Sequence, residues 1–88
     1  MPDFTNSGVV SINSDGEHNI ARACGCSTTF AREIVKERVK NGDFANSKDV
    51  EIRMIDYWDN ELKQKRGKPF NKNLQEVISA INNGNLDL

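Results

Sequence analysis

Apolar residues recur along this chain at helical spacing, not in alternation. Ile20, Ala21 and Cys24 fall at i, i+1 and i+4 and predict a short helix over Glu17–Cys24. Gly25 follows as its stop, since a helix end takes up the left-handed conformation that glycine tolerates. Ser27 is the expected N-cap of a second helix, Thr28–Lys40, with Ala31, Ile34, Val35 and Val39 inward and Phe30 at the edge. Thr29, Arg32, Lys36 and Lys40 lie on the opposite face, and Asn41-Gly42 ends the segment. Ser47 is the expected cap of a third helix, Lys48–Lys65, striped by Val50, Met54, Ile55, Trp58 and Leu62. Asp49 and Glu51 at its start and Lys63, Lys65 and Arg66 at its end suit the helix dipole, and Gly67-Lys68-Pro69 stops it. Asn73 and Glu76 form a capping-box pattern for a fourth helix, Leu74–Asn83, with Leu74, Val77, Ile78 and Ile81 on one face and Gly84 after it.

Residues 1–16 lack this periodicity and are expected to be a tail holding at most one short strand. The β-like run is Ser7–Ile12; Asn13–Gly16 reads as a turn, with Ser14 or Asp15 as a cap for the first helix. Residues 85–88 are expected to be a short tail. The expectation is a mostly α fold: one small bundle of about four helices over residues 17–84.

Size and composition narrow the function. Eighty-eight residues make one small domain, and 36% apolar content leaves a modest core. Twelve Lys and Arg against thirteen Asp and Glu give a net charge of −1, which excludes a globally basic DNA-coating protein. Charge is banded, however. Residues 18–40 carry five bases against two acids, residues 41–61 six acids against two bases, and residues 62–72 five bases and no acid. No window approaches ~18 consecutive apolar residues, so no membrane association is expected. The start of the chain lacks the basic and apolar regions of a signal peptide, and a cytoplasmic location is expected, on the nucleoid when DNA is bound.

Candidate chemistry is sparse. Cys24 and Cys26 are expected to be reduced packing residues, because two thiols do not make a four-ligand metal site. His18 is expected to be solvated, Trp58 to anchor the core, and Tyr57 to be a surface or interface group. No nucleophile–base set, P-loop or dinucleotide motif is present, so neither catalysis nor a cofactor is expected.

The informative stretch is Asn19–Val35. It resembles the helix-turn-helix of DNA-binding regulators. Ala21 matches the small residue where the two helices cross, Gly25 the turn glycine, and Cys26 the small residue after it. Ser27 matches the hydroxyl residue opening the second helix, and Ala31 and Ile34 match its core positions. Each match has its own reason: a close crossing needs a small side chain, and the turn needs positive φ. The resemblance implies a second helix with one face free for the major groove. Ser27, Thr28, Thr29, Arg32, Glu33, Lys36 and Lys40 are the expected contacts, Arg32 toward guanine and Glu33 toward cytosine or ordering Arg32 or Lys36. Lys63, Lys65, Arg66 and Lys68 are expected on phosphates. The resemblance departs upstream, where no packed helix precedes the pair; Lys48–Lys65 is then the third helix, while a strand at Val9–Ile12 fits winged variants. Double-stranded DNA is thus the expected partner, with a homodimer through Leu74, Val77, Ile78 and Ile81. The alternative is a protein-binding module that regulates a host protein through acidic segment 43–61, where Asp56, Asp59 and Glu61 would matter.

Overall fold

The computed structural model describes residues 10–88. Ser7, Gly8 and Val9 of the expected strand lie outside the described residues. The elements are β1 (Val10–Ser11), α1 (Glu17–Cys24), α2 (Thr28–Asn41), α3 (Ser47–Asp56), a π-helical turn (Tyr57–Glu61), α4 (Lys68–Asn83) and β2 (Leu86–Asp87). The architecture is the expected mostly helical bundle. Among the described residues, no helix is long and apolar enough to cross a membrane.

The two helices α1 and α2 form as their local sequence dictates. Gly25 closes α1 at φ 75°, its amide donating to the Ala21 carbonyl. The Ser27 hydroxyl accepts from the Phe30 amide at 3.1 Å and opens α2. Ile20, Ala21, Ala31 and Ile34 are all buried between the helices and the rest of the core. The start of α1 differs from expectation. Its N-cap is Gly16, with no side-chain cap. Asp15 instead turns back, accepting from the Ser11 amide and the Asn19 side chain. Arg38 of α2 fastens this turn by donating to the carbonyls of Ile12 and Asp15 at 2.8 and 2.7 Å.

The inward face of α2 is rotated from the expected one. Phe30, expected at the edge, is 2% exposed, and Val39, expected inside, is 76% exposed. With Ile34 at the centre of the face, Val39 falls about 140° away by helical geometry, whereas Phe30 and Glu37 lie together on one side of the centre, within about 60° of it. Glu37 is 5% exposed. It accepts from Arg53 Nε at 2.9 Å and from the Asn41 amide, so its burial leaves no unpaired charge.

The region from residue 43 to 67 departs most from expectation. Asn46, not Ser47, caps α3, accepting from the Asp49 amide at 2.8 Å. Ser47 donates to the Asn82 side chain instead. The third helix ends well before Lys65, because its last turn widens: the Leu62 amide donates to Tyr57 and the Gln64 amide to Trp58. Lys63 then takes positive φ. Its buried stripe is Val50, Met54 and Tyr57, with Ile55, Trp58 and Leu62 half-buried beside it. Tyr57 is therefore a core residue.

Gly67-Lys68-Pro69 begins α4 rather than ending α3, with Gly67 as N-cap and Pro69 in the first turn, where its missing amide costs nothing. Asn73 lies inside α4 and is no cap. Phe70, Leu74, Val77 and Ala80 form its buried face. Leu74 and Val77 are therefore inside the chain's own core and closed to a second copy, and Ile78 and Ile81 are partly buried against it. The expected C-terminal tail is a strand. Leu86 and Asp87 pair in parallel with Val10 and Ser11, and buried Leu86 joins Ile12 in the core.

Candidate nucleic-acid interface

The outer face of α2 is built by withdrawal of its acids. The helix carries two carboxylates. Glu37 is buried with Arg53, and Glu33 accepts from the Tyr57 hydroxyl at 2.7 Å with its side chain only 12% exposed. Burial, then the hydrogen bond to Glu33 and the nearby carboxylates, push the Tyr57 phenol above its ordinary value, so it remains a donor. Glu33 is thus committed to Tyr57 and lies 3.6 Å from Lys36. It orders Lys36, not Arg32, and is not presented to a cytosine. What remains outward on α2 is Thr28, Thr29, Arg32, Lys36, Val39 and Lys40, of which Thr28 is half-buried and the rest exposed.

The N-terminal end of this face is held rigidly. The Ser27 amide donates to Asn73 Oδ1 of α4 at 3.0 Å. Phe30 meets Trp58 and Phe70 at ring-centre distances of 5.6 and 5.7 Å, and those two meet at 4.8 Å. This aromatic triad brings the first turn of α2 against the first turns of α4, and so toward the second basic segment. Lys72, beside Asn73, lines a shallow cleft with Ala23 and Cys24 at the end of α1. Cys24 and Cys26 are free thiols. The bond that Cys24 gives to Cys26 raises the first thiol, with burial adding to it, and lowers the second against the opposing effect of burial.

The bases are not equivalent. Arg32 is paired with Glu17 of α1 at 2.9 Å, Lys40 with Glu61 at 2.6 Å, and Arg66 with Asp59 at 2.9 Å. Lys63, Lys65 and Lys68 are exposed, and none makes an ion pair among the described residues. The expected site residues therefore fall into two groups: Ser27, Thr28, Thr29, Arg32, Lys36 and Lys40 on one helix, and Lys63, Lys65, Arg66 and Lys68 on the loop leading into α4. Sequence reading misses two neighbours. Val39 reads as a core residue by its apolar character. Glu17 joins the face only through its ion pair with Arg32, and no local signal marks it. Among the described residues, no cluster of three His, Cys, Asp or Glu is placed to hold a metal ion.

Comparison with protein-family models, with curated proteins and with solved structures finds no match to this chain.

Proposed function

We propose that this chain is a small sequence-specific DNA-binding protein that lays α2 in the major groove. It would serve as a transcriptional regulator or as an accessory factor of a phage or plasmid. One observation carries this reading: the exposed side of α2 holds hydroxyls, three bases and one apolar side chain, while both of its acids are turned inward. A helix face of that composition meets phosphates with its bases and hydroxyls and base edges with Arg32. Val39 adds a methyl surface of the kind that packs on thymine. The short turn capped by Gly25 and Ser27, braced by Asn73, gives the face a fixed orientation, as helix-turn-helix recognition requires. Lys63, Lys65 and Lys68 supply phosphate contacts beside it.

The acidic segment 43–61 offers less to a basic partner. Four of its six carboxylates, Asp49, Glu51, Asp59 and Glu61, are engaged with bases of this same chain.

Fluorescence anisotropy with random duplex DNA at two salt concentrations tests the proposal. Binding is expected at low salt and to weaken steeply as salt rises. Arg32→Ala with Lys36→Ala is expected to lower affinity and reduce the salt slope by about one to two ions. Absence of binding at low salt, or a slope unchanged in the double variant, rejects the reading.

A further inference from the structure

Arg32 is the outward base best suited to recognise a base pair, and its geometry is specific. Its Nε donates to Glu17 Oε2 at 2.9 Å, and among the described residues no acceptor meets its two terminal nitrogens. Half of the arginine side chain remains exposed, at 51%, while that of Glu17 is 27% exposed. Glu17 is the first residue of α1, so its own backbone is fixed by the helix and by the Asp15 turn behind it. The carboxylate therefore takes the Nε of the guanidinium and leaves its outer pair of terminal nitrogens without an acceptor among the described residues, on a half-exposed side chain. That outer pair has the spacing of guanine O6 and N7. The other outward bases differ. Lys36 and Lys40 end in point charges, which suit phosphate but cannot make a two-pronged contact.

We propose that Glu17 is a positioning residue for sequence readout, holding Arg32 for a two-pronged contact to one guanine; the proposal rests on the DNA-binding reading above. An arginine left free must be ordered on binding, and it can satisfy itself on any phosphate. One clamped at Nε has lost much of that freedom in advance. The Glu17 carboxylate also repels the DNA backbone. It therefore weakens binding to every sequence while favouring the sequence that repays the arrangement.

The test begins with selection of a preferred duplex from a randomised pool by the wild-type protein. Each guanine is then replaced in turn by 7-deazaguanine, which lacks the N7 acceptor. Wild type is expected to lose about tenfold in affinity at one guanine. Glu17→Ala is expected to lose most of that discrimination while binding random duplex no more weakly than wild type. Glu17→Gln, which keeps an acceptor, is expected to fall between. Arg32→Lys keeps the charge and loses the fork. It is expected to match Glu17→Ala in discrimination, with no further loss in the double variant; Glu17→Gln, by falling below wild type in discrimination but not in random binding, decides the matter if Glu17→Ala fails to fold. Unchanged discrimination in Glu17→Ala, or in Arg32→Lys, overturns the proposal. So does an equal fall in specific and random binding, which would mark a structural role for Glu17. Random duplex binding without any preferred guanine overturns it and leaves the DNA-binding reading standing. No salt-dependent binding by wild type removes both.

Discussion

The α1–turn–α2 unit and the region from Asp43 to Gly67 are of similar length, yet they are specified differently. In the first, the end of α1 and the start of α2 are set by residues acting on their nearest neighbours: Gly25 at positive φ, and Ser27 bonded to the amide three residues on. In the second, apart from the local Asn46 cap, the chain is held from a distance. Arg53 binds Glu37 of α2, donates to the carbonyls of Gly42 and Asp43, and lies 4.1 Å from the Phe44 ring centre. Phe44 is itself buried and exchanges backbone hydrogen bonds with the Asn13 side chain. Local signals are therefore reliable where a boundary is made locally. They mislead where a single distant cation organises a loop.

Breaking the long-range hub tests this contrast most severely. Arg53→Ala leaves the Glu37 carboxylate buried without its cation and frees the loop at residues 42–44. A loss of about 3–5 kcal/mol is expected, read by urea unfolding. A loss under ~1 kcal/mol would mean that the loop is held locally after all.

The next test stays within the local unit. Gly25→Ala meets no atom within 4 Å but forces a side chain into positive φ, whereas Gly16→Ala meets neither obstacle. A cost of about 1–2 kcal/mol is expected at Gly25. Gly16→Ala is expected to stay within ~0.5 kcal/mol. Similar costs at both sites would remove the conformational argument for the turn.

The start of α3 sharpens the comparison further. Asn46→Ala removes the cap and is expected to cost about 1 kcal/mol. Ser47→Ala, at the cap the sequence favours, is expected to cost less than ~0.5 kcal/mol. Thermal unfolding of the two variants side by side decides between them.

The smallest effect is in pH dependence. The Ala45 amide donates to the Asp49 carboxylate, and Arg53 lies beside it; together they hold its carboxyl below the ordinary value against the opposing effect of burial. A depressed folded pKa stabilises the fold above the unfolded value and loses that contribution as pH falls through the folded one. Asp49→Asn is therefore expected to be less stable than the parent near neutral pH, the gap closing below about pH 4. A gap that widens on acidification would contradict this assignment.

Much of the architecture was legible. The helix count, the Gly25 end of α1, the Ser27 cap, the ends at Asn41 and Asn83 and the mostly apolar face of α4 all follow from spacing and punctuation. Several core residues were not legible. Ile12, Phe44 and Leu86 are single apolar side chains in turns, loops and two-residue strands, where periodicity has nothing to repeat. Phe70 was hidden behind Pro69, which marks a helix start as readily as the end of the preceding one. The candidate site was legible in its bases and hydroxyls. Its electrostatics were not, since the partners of Arg32 and Lys40 lie on other elements.

Taken by itself, the sequence determined a helical chain with a tight two-helix turn and a helix bearing bases on its outer side. Those features depend on contacts within one or two turns, which are the range over which residue spacing acts. Tertiary structure alone decided which side of α2 is outward, that Glu33 and Glu37 are withdrawn from it, and that Glu17 grips Arg32. Each of those outcomes joins residues far apart in the chain, and burial and charge pairing are settled only when the elements pack.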